Sequence, residues 1–175
     1  FPHLPPLAGV RLATYASGLR YKGRTDLLLA ELAPGSTMAG VYTKSLSSSA
    51  PVDWCRKAGA NGKAQALVVN SGNANAFTGK AGMESVSATV KETAKLVGCK
   101  ETEVFVSSTG TIGVPLPHEK ITAALPKAML QLKADAWLDA AKAIMTTDTY
   151  PKLATRKVRI GEATVTINGI AKGSG

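Results

Sequence analysis

A chain of 175 residues, 45% hydrophobic and 19% charged, carries enough apolar material for one ordinary domain that folds without disulfides or metal. Its longest apolar runs, Leu27-Leu28-Leu29-Ala30 and Ala66-Leu67-Val68-Val69, are far shorter than the ~20 residues of a membrane-spanning helix, and no signal peptide is expected. The net charge of +9 is spread over both halves with no aromatic platform interleaved, which argues against nucleic-acid binding.

The proline-rich start, Phe1 to Pro6, reads as an extended arm, and Gly9 to Arg20 as a strand. Asp26 to Leu32 and Met38 to Thr43, separated by Pro34-Gly35, are expected to form a β-hairpin. Ser49 and Pro51 start a short helix that Gly59 should end. Gln65 to Asn70 reads as a buried strand, and the small-residue segment Ser71 to Gly79 as a polar loop. A helix follows from about Lys80 to Val97, with Val86, Val90 and Ala94 on one face and Gly98 as its stop.

Glu103 to Ser107 predicts a strand that runs into Thr109-Gly110-Thr111-Ile112-Gly113. Helical patterns span His118 to Leu132 and Ala136 to Met145, with Pro126 as a kink or break. Lys152 to Ile160 and Ala163 to Ile170 alternate around Gly161-Glu162 as a second hairpin. Neighbouring strands interspersed with long helices imply a layered α/β domain covering 1–175.

The chemistry-bearing residues are few. Cys55 and Cys99 are 44 positions apart without a CxxC, and His3 and His118 are the only histidines. Neither a zinc site nor a Ser/His/Asp triad is expected, and the cysteines read as buried reduced thiols. Glycine-rich nucleotide motifs are absent too, so no metal and no cofactor is expected. Thr109-Gly110 after an apolar strand suits an oxyanion-stabilising backbone, although a plain β-turn fits the residues as well. The hydroxyls and carboxylate of Thr146-Thr147-Asp148-Thr149 suit an amino-acid ligand or, equally, a capping cluster. Lys172 suits a carboxylate or acyl oxygen, or simply solvent.

Four segments occur in one order: Asn70-Ser71-Gly72-Asn73-Ala74-Asn75-Ala76, Ser108 to Gly113, Ile144 to Thr149, and Gly169-Ile170-Ala171-Lys172-Gly173-Ser174-Gly175. Together they resemble the ornithine acetyltransferase family of bacteria and fungi, specifically its α chain. The resemblance implies a layered α/β sandwich completed by a β chain, usually as α2β2. It also implies a precursor that cuts itself before a threonine, which becomes the nucleophile of the β chain and lies beyond Gly175. The activity implied is ping-pong transfer of acetyl from N2-acetylornithine to glutamate, and the sequence leaves open whether acetyl-CoA is also a donor. By position, Thr109 and Gly110 match the family's oxyanion hole, Lys172 its substrate lysine, and either Thr146 or Thr147 its substrate threonine. The Ser71 to Asn75 loop is expected to wall the site. No nucleic acid or membrane partner is implied, and the compartment implied is the cytoplasm, or the mitochondrial matrix in a fungus. A related self-processing aminopeptidase and a basic nucleic-acid-binding module are the competing readings.

Overall fold

The computed structural model describes residues 1–20 and 22–173. Ser174 and Gly175 of the terminal motif lie outside the described residues. Strands β1 (Val10–Tyr15), β2 (Leu27–Leu32), β3 (Ala66–Asn73) and β4 (Val104–Thr111) form one sheet in chain order. The first three pair antiparallel, whereas β3 and β4 run parallel. A parallel pair needs a long crossover, and helix α2 (Gly79–Val97) supplies it.

Strand alternation sorts the apolar side chains into two layers. Leu27, Leu29 and Val68 face helices α1 (Ala50–Ala58), α2 and α3 (His118–Met129), which contribute Cys55, Val90 and Leu125 to the same cluster. Leu28, Ala30 and Val69 face the other way, toward Leu4 of the N-terminal arm and Trp137, Ala140 and Ile144 on and beside helix α4 (Trp137–Ala143). At the head of β2 the fully buried Asp26 carboxylate accepts the Ser17 N–H and hydroxyl and the Leu19 N–H, at 2.6, 2.8 and 2.9 Å. Those bonds compensate the carboxylate for lost water.

Strands β5 (Lys152–Ile160) and β6 (Ala163–Ala171) form a separate two-stranded ribbon with a two-residue turn at Gly161-Glu162. Gly161 has φ 59, the left-handed value such turns demand. Among the described residues the ribbon is anchored near its root, by Leu153 and Ile170 against the α4 layer and by the Asn168 amide donating to the Pro5 carbonyl. On the opposite face Val158, Ile160, Val165 and Ile167 stay 37, 64, 36 and 51% exposed.

Two expectations need correction. Met38 to Thr43 is not a strand, and β2 pairs with β1 and β3 instead. Leu27 to Ala30 is buried on both faces, so it needs hydrogen-bonded neighbours at both edges, and the apolar β3 run meets that need. Gly59 ends α1 as expected, in a right-handed conformation; the chain then tightens into a 3-10 turn and Gly62, at φ 66, redirects it. Helix α3 runs on through Pro126 without a break.

Candidate active site

The site lies where the C-terminal ends of β3 and β4 meet the end of β6. Ser71 and Gly72 stand in register with Thr109 and Gly110. The plain β-turn reading of Thr109-Gly110 is therefore wrong, because both residues belong to β4 and the chain bends only after Thr111. Gly110 has φ 135, and a Cβ there would come within 2.4 Å of the Gly72 carbonyl carbon and 2.7 Å of the Asn73 nitrogen. Two glycines thus let the strand ends approach more closely than side chains permit.

The segment expected as a polar loop continues β3 as far as Asn73. Asn70, Asn73 and Asn75 are buried and spend their amides on the backbone. The Asn70 amide donates to the Asn73 carbonyl at 2.8 Å, Asn73 to Val114 at 3.0 Å, and Asn75 to Gly82 at 3.0 Å. The Ser108 hydroxyl donates to Asn70 Oδ1 at 2.6 Å, which ties β4 to this frame. These asparagines are hydrogen-bonding struts. Ser71, in register with Thr109, is fully buried and its hydroxyl meets no hydrogen-bond partner among the described residues.

From the end of β6, the Lys172 ammonium donates to the Thr109 hydroxyl oxygen and to the Thr146 hydroxyl oxygen, each at 2.6 Å. Residues 63 and 26 positions away in sequence thereby meet at one charge. An ammonium has three N–H donors, so a third remains for an acyl oxygen or carboxylate beyond these two bonds among the described residues. Thr146 is the threonine whose hydroxyl Lys172 reaches, while Thr147 is exposed beside it.

Asp148 faces inward. Its side chain is 1% exposed and accepts the Gly173 N–H at 2.7 Å, the Lys152 ammonium at 2.9 Å and the Thr146 N–H at 3.2 Å. The Gly173 N–H first, then Lys152, hold its carboxyl well below the usual carboxylate range. It is spent on the protein and is not offered to a ligand, unlike the hydroxyls around it. Arg24 braces the same segment by donating to the Met145 carbonyl.

The sequence profile of the ArgJ family matches residues 11–175. The chain belongs to the ArgJ family. It is 57% identical to the arginine biosynthesis bifunctional protein ArgJ of Nitrobacter winogradskyi over 178 residues, and 57% identical to that of Bradyrhizobium diazoefficiens over 174. Each alignment covers 99% of this chain but only 43% and 42% of those proteins, so the chain spans less than half their length. A crystal structure of ArgJ from Bacillus halodurans superposes with TM-score 0.88 at 32% identity, over 96% of this chain and 88% of that one. Ornithine acetyltransferase from Mycobacterium tuberculosis, in complex with ornithine, gives TM-score 0.82 at 33% identity, over 97% and 90%. The α/β fold class and the family resemblance read from the four segments are both borne out.

Elsewhere in this ArgJ-family chain the cysteines, His118 and the basic run of β5 sit in structural or solvent-facing surroundings. Both cysteines are free, Cys55 buried and Cys99 only half-buried, and burial pushes both thiols up. His118 Nδ1 lies 3.2 Å from the Ser85 hydroxyl, but that hydroxyl also meets the Ala81 and Leu116 carbonyls and is 97% enclosed with its residue. The basic run of β5 does not make one face. Alternation puts Lys152 and Arg156 on one side of the ribbon and Lys157 and Arg159 on the other, with Arg159 paired to Glu162. The role of Lys152 beside Asp148 is what the sequence did not show. Asp148 stands in the Thr146 to Thr149 cluster, but its pairing with Lys152 four residues on carries no spacing rule in a chain without helix there.

Proposed function

We propose that this chain is the α-chain part of an acetyltransferase that moves acetyl from N2-acetylornithine to glutamate. The observation that carries the reading is the Lys172 ammonium seated between the Thr109 and Thr146 hydroxyls, next to Gly110. In this reading the nucleophile is the N-terminal threonine of a β chain cut from the same precursor, with its own amine as base. Its hydroxyl oxygen attacks the acetyl carbonyl, and the Thr109 hydroxyl and Gly110 N–H receive the oxyanion. Ornithine departs with its amine protonated and leaves an acetyl-threonine ester. The α-amine of glutamate then attacks that ester, and N-acetylglutamate and the free hydroxyl result. Because Thr109 accepts a hydrogen bond from Lys172, its own O–H proton is free to point at the oxyanion. Lys172 and Thr146 bind the substrate's polar end.

The relatives' names support this reading, since one structural neighbour is an ornithine acetyltransferase holding ornithine and the close relatives are called bifunctional. A bifunctional enzyme would also take acetyl from acetyl-CoA. The length of those relatives and the exposed apolar face of the β5–β6 ribbon support a β chain packed against this one; an α2β2 assembly in the cytoplasm completes the proposed reading. Expression of the complete reading frame tests it. Intact mass and N-terminal sequencing should find a second chain beginning with threonine, and labelled acetyl from N2-acetylornithine should reach glutamate. Without glutamate the label should stay on that threonine. A single uncut chain that transfers no acetyl overturns the proposal; peptide hydrolysis in its place would favour the aminopeptidase reading.

A further inference from the structure

One buried carboxylate beside the site contacts neither Lys172 nor Thr109 directly, yet bonds to the residues around the lysine. Asp148 Oδ1 takes the Gly173 N–H and the Lys152 ammonium, and Oδ2 takes the Thr146 N–H. Thr146 supplies one of the hydroxyls that Lys172 meets, and Gly173 is the residue directly after Lys172. Lys152 in turn pairs across the ribbon with Ala171, the residue directly before it. The buried carboxylate therefore ties the backbone of the residue after the lysine to the segment that follows α4, while the residue before it is held by its ladder pairing with Lys152. A free lysine side chain carries as much rotamer entropy as any residue type. Backbone pinned on both sides shortens the arc its nitrogen can explore and lowers what must be spent to hold it between two hydroxyls.

We propose that Asp148 is the positioning residue of this site, which locks Lys172 into the register where its ammonium reaches Thr109 and Thr146 together. The kinetic consequence rests on the acetyl-transfer reading; the structural consequence rests on the three hydrogen bonds alone.

The test uses the complete, processed protein with Asp148→Asn, Lys172→Met and the double variant. An asparagine keeps one acceptor, loses the charge, and turns an amide donor toward one of the donors it should receive. Asp148→Asn should lower kcat/KM for acetyl transfer about a hundredfold, the scale of a ~1 Å misplacement. In the Lys172→Met background the same change should cost less than about twofold, because its effect passes through that lysine. Deuterium exchange at the Gly173 amide should speed up in Asp148→Asn whatever the activity. Equal losses in both backgrounds, or unchanged Gly173 exchange, overturn the proposal. If Asp148→Asn does not fold, Asp148→Glu keeps the charge, moves the oxygens by one methylene and carries the same comparisons. A wild-type protein without acetyl transfer sinks the acetyl-transfer reading, and Gly173 exchange then decides the role of Asp148.

Discussion

In the proposed reaction Thr109 does two things with one oxygen: it accepts from Lys172 and donates its own proton to the oxyanion. Thr109→Ala removes the donor and strands one N–H of the ammonium. Acetyl transfer should slow by about ten- to a thousandfold, the range for a lost oxyanion donor. A stopped assay on the processed enzyme checks this, and an unchanged rate would remove Thr109 from the mechanism. Asp148 makes a pH prediction at the same scale. Its folded carboxyl titrates below the ordinary range, so its contribution is present above the unfolded value of ~3.9 and is lost as pH falls toward the folded one. The difference in Tm between wild type and Asp148→Asn should be constant from pH 5 to 8 and shrink only below about pH 4. A difference that shrinks between pH 8 and 6 would mean that another group is responsible.

The close approach of the β3 and β4 ends depends on Gly110, whose backbone lies against Gly72 and at a φ that L side chains rarely adopt. A methyl there meets backbone rather than a yielding side chain end. Gly110→Ala should cost roughly 3 kcal/mol by urea unfolding, from overpacking and backbone strain combined. A loss below about 1 kcal/mol would show that the strand ends part easily. The glycine was legible in the sequence as a point of close approach, but what it approaches was not. Gly72 lies 38 positions earlier, and only the parallel register brings the two together. The failed first hairpin has the same origin. Pro34-Gly35 makes a good local turn signal, yet a strand buried on both faces is paired by whichever apolar strand covers its free edge, however distant.

Across the whole molecule, the sheet and its helices form a well-enclosed core, while the β5–β6 ribbon extends from it with one apolar face open. Two strands alone are marginal in water. In the 175-residue chain, amides in β5 and β6 should therefore exchange orders of magnitude faster than those in β2 and β3, read by hydrogen exchange. Protection equal to the core's would mean that something already covers that face. The sequence by itself determined the α/β class, most elements and their order, and the four segments that place the chain in its family. These rest on periodicity, turn chemistry and contiguous motifs, all of them local. Tertiary structure alone decided that Lys172 meets Thr109 and Thr146, that Asp148 faces inward, and that the asparagines of the second segment are struts. Each of those depends on hydrogen bonds between residues far apart in the chain or on which face of a strand is buried, and such pairings exist only once the strands have found their neighbours.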